Sequence, residues 1–431
     1  MVGMALLGLM AAAAGIALVE IVIRRSDVGA GLALGYVVLS ESSVIDLTVL
    51  TSPVFVGVND VLFLVFLTAA IARLLRVERL TNAQRLIVLF GALVAWSLAS
   101  GIGPFGLPAA TNEARKFLTF TATVLYFSTI EPRPALLQRI GRVWLVAAGA
   151  LAALALIRWT ANTAGISGGL FGTGTSLRVI PSDAALIIGQ GALIGLPLLI
   201  ERTRGWSRYV TPALLVVIVV LQHRTVWLVT AIGMGYLLLR GRALTPRTLA
   251  ALGVGAAIFA ALTFTVFDDQ DLSSQLAESS QATGTFEWRV AGWGALIADS
   301  GPQTPAEVAV GLPFGGGWER SFDGLTVDVT PHNFYLETFL RVGLVGVVAL
   351  VLLYVIALRG SPGRALPGRR RPPGTPTALS SELLRTVIAI QLLYFISYTP
   401  DIAQSMLLGL GCAVAANARR TEQPEPSLVG G

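Results

Sequence analysis

The sequence has little charge and almost no cysteine. Only 13% of its 431 residues are charged, whereas a soluble domain usually has about 25%. The single cysteine, Cys412, excludes an intramolecular disulfide framework and any metal site built from several cysteines. Hydrophobic residues make up 54% of the chain, and the mean hydropathy is +0.73. This composition predicts an integral membrane protein.

Long apolar runs recur along the whole chain. Their positions are about 4–23, 54–72, 86–101, 117–130, 143–157, 184–200, 209–221, 225–239, 249–267, 333–358, 383–398 and 402–416. A helix needs roughly 20 residues to cross ~30 Å of hydrocarbon, so the shorter runs must be tilted or line a cavity. A further run at 28–39 fits either a thirteenth span or a half helix. We expect an all-α bundle of 12–13 transmembrane helices in one polytopic domain, 1–431.

The placement of arginine predicts how the chain is oriented. When the apolar runs alternate in direction, twenty-three of the 31 basic residues fall on one side of the membrane. The positive-inside rule assigns that side to the cytoplasm. We therefore expect a multi-pass protein of the cytoplasmic (inner) membrane. Its basic cytoplasmic loop would be 359–382, its cytoplasmic tail 417–431 and its extracytoplasmic loop 268–331.

Eight basic residues remain at the outer face or inside the apolar runs, where the positive-inside rule gives no reason for them. They are Arg115, Lys116, Arg158, Arg178, Arg224, Arg289, Arg320 and Arg341. Arginines that converge at the outer face suggest an anionic ligand, since a guanidinium can donate two hydrogen bonds to phosphate oxygens. The alternative is that each side chain reaches lipid headgroups or caps a helix. Arg224 favours the ligand, because polar Gln222 and His223 precede it between two apolar runs.

The outer loop 268–331 combines acidic and aromatic residues. It contains ten Asp or Glu, and its segment EWRVAGWGALIADS places Arg289 between two tryptophans, Trp288 and Trp293. Tryptophan has an apolar face and a polar edge, which suits a sugar or the membrane interface. We expect a functional loop without a regular strand pattern.

The segment PHNFYLETFLRVGLVG, residues 331–346, places polar residues at the start of an apolar run. His332 is expected to begin a spanning helix at the outer face, where a neutral imidazole can accept a proton. Asn333 is suited to hydrogen-bond a sugar or to orient the ring. Glu337 and Arg341 lie four residues apart, which favours a mutually neutralising buried pair. The alternative for His332 is a purely structural role at a helix end.

These segments resemble the O-antigen ligase and O-antigen polymerase superfamily of membrane glycosyltransferases. The most specific part is PHNFYLETFLRVGLVG after the Gly-rich GLPFGGGWER. In the segment HRTVWL, Arg224 is similar to an Arg that the family has at the start of a span. In the segment WRVAGWGALI, Arg289 and Trp293 are similar to the family's Arg-x-x-x-Trp element. LRVIPSDAALIIGQG resembles the upstream Arg element, with Ser182 and Asp183 where the family usually has Asn. The resemblance covers roughly residues 115–350.

The resemblance implies a GT-C-like helical fold and transfer of a glycan from a polyprenyl-diphosphate carrier. The acceptor would be a hydroxyl of a glycan, lipid or protein, outside the cytoplasmic membrane, in cell-surface polysaccharide assembly. The resemblance implies that the reaction needs no metal and no cofactor, and we expect no nucleic-acid partner. His332, Arg224 and Arg289 would be catalytic, and the substrate-binding residues would be Arg178, Lys116, Arg115, Asn333 and Trp293. Ligase and polymerase remain open, because they share the chemistry at the diphosphate.

A transporter or a lipid-linked glycan flippase is the alternative class of function. The embedded charges Asp60, Glu337 and Arg341 would then line a substrate or ion path. Secondary transporters usually have paired halves with matching broken helices. The sequence contains no such internal repeat, which favours the glycosyltransferase.

Overall fold

The computed structural model describes residues 2–42, 47–50, 56–163, 179–200, 209–240, 284–322, 324–359 and 380–422. The expected span at 249–267 and the candidate residue Arg178 lie outside these ranges. The same is true of 268–283 in the outer loop and of most of the basic loop 359–382.

The described apolar runs form helices. The helices are α1 (Val2–Arg24), α2 (Ser26–Ser42), α3 (Val58–Leu74), α4 (Asn82–Phe105), α5 (Leu107–Ser128), α6 (Pro134–Thr163), α7 (Ser182–Ile200), α8 (Val210–Val220), α9 (Arg224–Arg240), α10 (Gly284–Ser300), α11 (Pro305–Val310), α12 (Phe334–Arg359), α13 (Ser381–Tyr394) and α14 (Ile402–Glu422). The strands of the described residues form two antiparallel hairpins, β1 (Thr48–Leu50) with β2 (Val56–Gly57) and β3 (Glu319–Phe322) with β4 (Leu325–Asp328). The predicted all-α class is confirmed.

Four of the described helices have the length and apolar composition to cross a membrane. They are Asn82–Phe105, Pro134–Ala161, Ser182–Leu199 and Phe334–Arg359. The segments Val210–Val220 and Ile402–Ala418 are also apolar but shorter. These helices support a membrane protein. The number of 12–13 spans, the GT-C-like architecture and the orientation stay predictions.

Helices α4 and α5 form an antiparallel hairpin around a single linking residue. Gly106, at φ 81°, connects them, which suits a residue without a Cβ. The rings of Phe90 and Phe120 lie 5.6 Å apart, and Gly91 faces Thr121. Residues at about the same distance along the chain before and after Gly106 therefore lie next to each other, as two antiparallel helices require.

One end of the bundle gathers the ends of α1, α3 and α5 and the start of α2. A guanidinium nitrogen of Arg73 donates to the carbonyl of Val22 at 3.1 Å and to the hydroxyl of Ser26 at 3.0 Å. The hydroxyl of Tyr126 donates to the same Val22 carbonyl at 2.8 Å. We call this the Arg73 end.

The opposite end gathers the start of α3, the first half of α5 and the start of α12. The Asn59 amide donates to Thr119 at 3.0 Å. The ring of Phe334 packs against Phe120 with centroids 5.2 Å apart. Because Phe334 follows His332 by two residues, His332 lies here too. We call this the His332 end.

The described part of the outer loop, residues 284–331, is mostly regular, although its sequence has no obvious strand pattern. It contains α10, α11 and the β3–β4 hairpin. Between them the chain passes beside α4, where the Ser97 hydroxyl donates to the carbonyl of Leu312 at 2.7 Å. The amide of Phe314 donates back to the Ser97 carbonyl at 3.1 Å, and Phe314 is fully buried. This part of the loop is therefore built into the helix packing.

A glycine interrupts α12 one-third of the way along. Gly343 has φ 75° and ψ −178°, a conformation that other residues adopt only with strain. A Cβ on Gly343 would lie 2.3 Å from the carbonyl oxygen of Ala309. Gly343 therefore supplies both the change in backbone direction and the close approach of α11.

The chain reverses direction at this glycine. The rings of Phe334 and Tyr354 both contact Phe395, with centroids 5.8 and 6.3 Å away. In a straight helix, residues twenty positions apart would be about 30 Å apart. Residues 334–342 therefore form a separate arm folded against residues 344–359. The helix that follows His332, Phe334–Arg359, is a candidate membrane span by length and composition, but its first nine residues form this arm, so His332 is separated from the rest of the helix by the turn at Gly343.

We predict that Gly343→Ala destabilises the protein, since the methyl group would meet the Ala309 carbonyl in a backbone conformation that itself costs about 1–3 kcal/mol. The measurement is the thermal unfolding temperature in detergent. Gly235→Ala is the matched control, because Gly235 lies in α9 with open space around its Cα, and alanine is favoured over glycine in a helix by about 1 kcal/mol. Equal unfolding temperatures for the two variants would contradict the proposed turn.

Candidate functional site

Two ion pairs connect α5 to the 334–342 arm. Lys116 contacts the carboxylate of Glu337, which is fully buried. Arg341 Nε lies 2.6 Å from a carboxylate oxygen of Glu113, and both side chains are almost fully buried. The expected pairing of Glu337 with Arg341 is therefore wrong. Glu337 pairs with Lys116 and Arg341 pairs with Glu113 instead. Both partners belong to α5, where they are three residues apart on one helix face.

The second of these ion pairs also holds the Gly-rich part of the outer loop. Arg341 donates to the carbonyls of Pro313, at 3.1 Å, and Gly317. The other oxygen of Glu113 accepts the amide of Gly315 at 2.6 Å. A buried charge needs such partners to offset its lost hydration. The loop GLPFGGGWER thus supplies the polar partners for a charge pair at the junction of α5 and the arm.

His332 lies in a strained turn just before the arm. Its φ of 51° is in the left-handed region, which is uncommon for a residue with a side chain. The preceding carbonyl, of Pro331, accepts a hydrogen bond from Trp293 Nε1 at 2.6 Å. The following residue, Asn333, caps the arm, since its side-chain oxygen accepts the amide of Leu336 at 3.0 Å. Strained backbone of this kind clusters at functional sites.

The surroundings of His332 favour the neutral imidazole. Burial lowers the pKa of His332 below 6.5, and the positive charges of Arg289, Lys116 and Arg320 lower it further. His332 therefore lies close to three cations and, at neutral pH, is uncharged itself. Arg320 was not predicted as a site residue. Its guanidinium donates to the carbonyls of Trp318, at 3.0 Å, and Val329, at 2.7 Å, inside the β3–β4 region.

Arg289 is held beside His332 by a carbonyl and an aromatic ring. It donates to the carbonyl of Ser397 at 3.2 Å, and its guanidinium lies 5.2 Å from the centre of the Tyr398 ring. Tyr398 stacks on Tyr394 at 4.8 Å, and the Tyr394 hydroxyl bonds to that of Ser182 at 3.1 Å. These contacts connect α10 to the end of α13 and the start of α7. Arg289 and Trp293, one turn apart on α10, thus both meet the His332 region.

Arg224 is at the same end of the bundle, at the start of α9. His223 precedes it, and its ring nitrogen Nε2 lies 2.9 Å from the carbonyl of Ile180, just before α7. Gln222 has φ 56°, so the α8–α9 turn also contains a left-handed residue. The structure therefore places Arg224 at the His332 end, as predicted for a residue of the site.

Arg115, a predicted substrate-binding residue, forms an ion pair with a neighbouring helix. Its Nε lies 2.8 Å from a carboxylate oxygen of Asp60 in α3. The other oxygen of Asp60 accepts the amide of Gly57 at 2.8 Å. Asp60, for which the sequence indicated a role only in the transporter alternative, is thus a cap of α3 and the counterion of Arg115. Both side chains are still partly exposed.

A polar cavity of about 340 Å³ lies beside Lys116 at this end. Three carboxylates line it, those of Glu41, Asp183 and Asp401. It is completed by Asn59 and by the hydroxyls of Tyr36, Ser40 and Ser405. The sequence analysis did not predict it. The only feature of the sequence that indicated this cavity was the presence of acidic residues at the ends of apolar runs. Such residues also cap helices, and Asp401 does so, since it accepts the amide of Gln404 at 2.9 Å.

Within the described part of the chain, no three His, Cys, Asp or Glu side chains are grouped so that they could hold a metal ion. Comparisons of the sequence with protein-family models and with curated proteins, and of the structure with solved structures, found no match. The functional hypothesis therefore rests on the motifs quoted above and on the geometry of the His332 end.

We predict that Lys116→Met destabilises the protein by about 3–5 kcal/mol, because it leaves the buried carboxylate of Glu337 without its counterion. Adding Glu337→Gln should restore most of the lost stability, since the neutral amide needs no counterion. Chemical unfolding followed by tryptophan fluorescence would measure both.

Arg115→Met is the control, with an expected cost of about 1 kcal/mol or less, since the Arg115–Asp60 pair is partly exposed. If the double variant were no more stable than Lys116→Met, the Lys116–Glu337 pair would not be what stabilises the arm.

Proposed function

We propose that the protein is a metal-independent glycosyltransferase of the O-antigen ligase and polymerase type. It transfers a polyprenyl-diphosphate-linked glycan to an acceptor hydroxyl at the His332 end of the bundle, in cell-surface polysaccharide assembly. The observation that supports this proposal best is a partly buried imidazole close to three cations, since burial and these charges lower its pKa. A general base and an anion site, side by side at the end of an apolar bundle, suit this reaction.

His332 acts as the general base in this proposal. The acceptor hydroxyl gives its proton to the neutral imidazole as its oxygen bonds to the anomeric carbon of the donor sugar. The bond from that carbon to the diphosphate oxygen breaks, and the diphosphate leaves with the electron pair. The nearby cations keep His332 unprotonated before the reaction, so that the base is available at neutral pH.

Arg289 and Arg224 stabilise the diphosphate. A guanidinium has five N–H donors in a planar fork that fits phosphate oxygens. The Ser397 carbonyl and the Tyr398 ring hold Arg289 in position before the substrate arrives. Donors positioned in advance stabilise the charge that develops on a leaving group, a role filled by a metal ion in other transferases.

The polar cavity beside Lys116 is the proposed site for the acceptor sugar. Its carboxylates are hydrogen-bond acceptors, and the hydroxyl groups of a sugar are the matching donors. Its volume of about 340 Å³ is within the usual range for small-molecule sites, roughly 300–1,000 Å³. Lys116 connects this cavity to the arm through Glu337.

The same cavity also favours one alternative. Carboxylates such as Glu41, Asp183 and Asp401, embedded among apolar helices, are typical of proton or cation pathways in transporters. A lipid-linked glycan flippase would move the same substrate across the membrane and leave its glycan unchanged. The fate of the lipid-linked glycan therefore distinguishes the two functions.

We predict that cells without this gene accumulate polyprenyl-diphosphate-linked glycan at the outer face of the membrane. The wild-type gene should clear the pool, whereas His332→Ala and Arg289→Ala should not, because the base or a diphosphate partner is lost. Mass spectrometry of extracted lipids, with and without enzymatic trimming from outside, measures length and location. Arg85→Ala, an exposed residue of α4, is the control and should behave as wild type.

The length of the glycan decides between the two transferases. Single repeat units would indicate a polymerase, and full-length chains would indicate a ligase. Accumulation at the inner face would identify a flippase, and an unchanged pool would contradict both the transferase and the flippase.

We also predict that Arg289→Gln raises the pKa of His332, because one of the positive charges that lower it is removed. The neutral base is present above its pKa, so transfer should fall as the pH drops through the pKa. NMR of ¹⁵N-histidine measures the pKa directly, and the chain has only two histidines to assign.

His223→Gln identifies the His332 signal in these spectra. Arg139→Gln, at the Arg73 end, should leave the titration unchanged. An unshifted pKa in Arg289→Gln would mean that Arg289 does not face His332.

A further inference from the structure

A groove of about 380 Å³ has one end at Arg240, the last residue of α9, at the opposite end of that helix from Arg224. It runs between α9 and α13 and touches the last turn of α12. Most of its lining is apolar, from Ile232, Gly233, Leu358, Ala389, Ile390 and Leu393. Ile232 and Leu393 are 46% and 42% exposed among the described residues, so the apolar part of the groove opens outwards.

One end of the groove is basic. Arg240 and Arg385 line it together with a single carboxylate, that of Glu382. Arg240 pairs with Glu382 and also donates to the hydroxyl of Tyr236 at 3.0 Å. The Nε of Arg385 is buried and has no hydrogen-bond partner among the described residues. The polar end therefore has one more positive charge than negative, and a donor without an acceptor.

The groove is shaped for an amphipathic anion. A buried donor without an acceptor is costly, and a phosphate oxygen would satisfy it with a charge-assisted hydrogen bond. From Arg385 to Leu393 the helix rises about 12 Å, close to the ~15 Å of hydrocarbon in one leaflet. An acyl chain laid along α13 would thus bring a headgroup to the arginines.

We propose that this groove binds one anionic phospholipid, with its phosphate at Arg385 and Arg240 and an acyl chain between α9 and α13. The placement of arginine predicts that this end faces the cytoplasm, where the leaflet carries anionic headgroups. The proposal is independent of the glycosyltransferase function, because it uses residues at the other end of the bundle.

Native mass spectrometry of the purified full-length protein tests this proposal. Dioleoyl phosphatidylglycerol and dioleoyl phosphatidylcholine are added at matched concentrations. Wild type should retain one phosphatidylglycerol in preference to phosphatidylcholine. Arg385→Ala should bind phosphatidylglycerol about tenfold more weakly, the effect expected for the loss of a charge-assisted hydrogen bond. Arg85→Ala removes an exposed arginine of α4 and should bind as wild type.

Ala389→Trp is a second variant that keeps both arginines and fills the apolar groove. It should also lose the bound phosphatidylglycerol, which separates a lipid from a free phosphate bound by the arginines alone. Inorganic phosphate should not displace the lipid from wild type. Equal retention of the two lipids, or full retention by both Arg385→Ala and Ala389→Trp, would overturn the proposal.

Discussion

The buried carboxylate of Glu337 imposes the main constraint on the His332 end. An ionised side chain with no exposure must have a counterion, and Lys116 supplies it. This pairing holds the 334–342 arm against α5. The second pair, Arg341 with Glu113, holds the other end of the arm and organises the Gly-rich loop. Together the two pairs bring a loop far along the sequence onto the α4–α5 hairpin.

The arm in turn determines where the candidate base lies. Because the chain reverses at Gly343, His332 and Gly343 are at opposite ends of the arm, and His332 lies at the junction with the apolar bundle. Helix α10 of the outer loop contacts the same place, since Trp293 donates a hydrogen bond to the carbonyl of Pro331, the residue before His332.

Much of this arrangement could be predicted from the sequence, because it depends on local pattern. Apolar runs predicted the helices, and unexplained basic residues predicted the end that holds His332, Arg289 and Arg224. The partners of Glu337 and Arg341 could not be predicted, since their spacing of four fits a pair within one helix equally well. Gly343 resembled a packing glycine in an apolar run, and only its backbone angles show the turn. The carboxylates around the cavity come from α2, from α7 and from the turn before α14, and no local pattern connects them.

The charges near His332 are not equivalent, and this decides which of them suits a diphosphate. Lys116 is compensated by Glu337, so a ligand at Lys116 would have to compete with a buried carboxylate. Arg289 contacts a carbonyl and an aromatic ring, and it has no ion pair among the described residues. Within the described part of the chain, no carboxylate therefore competes with an anion for the charge of Arg289, which is partly buried. In the proposed reaction, Arg289 is therefore better suited than Lys116 to bind the diphosphate next to His332, and Lys116 mainly positions the arm that His332 precedes.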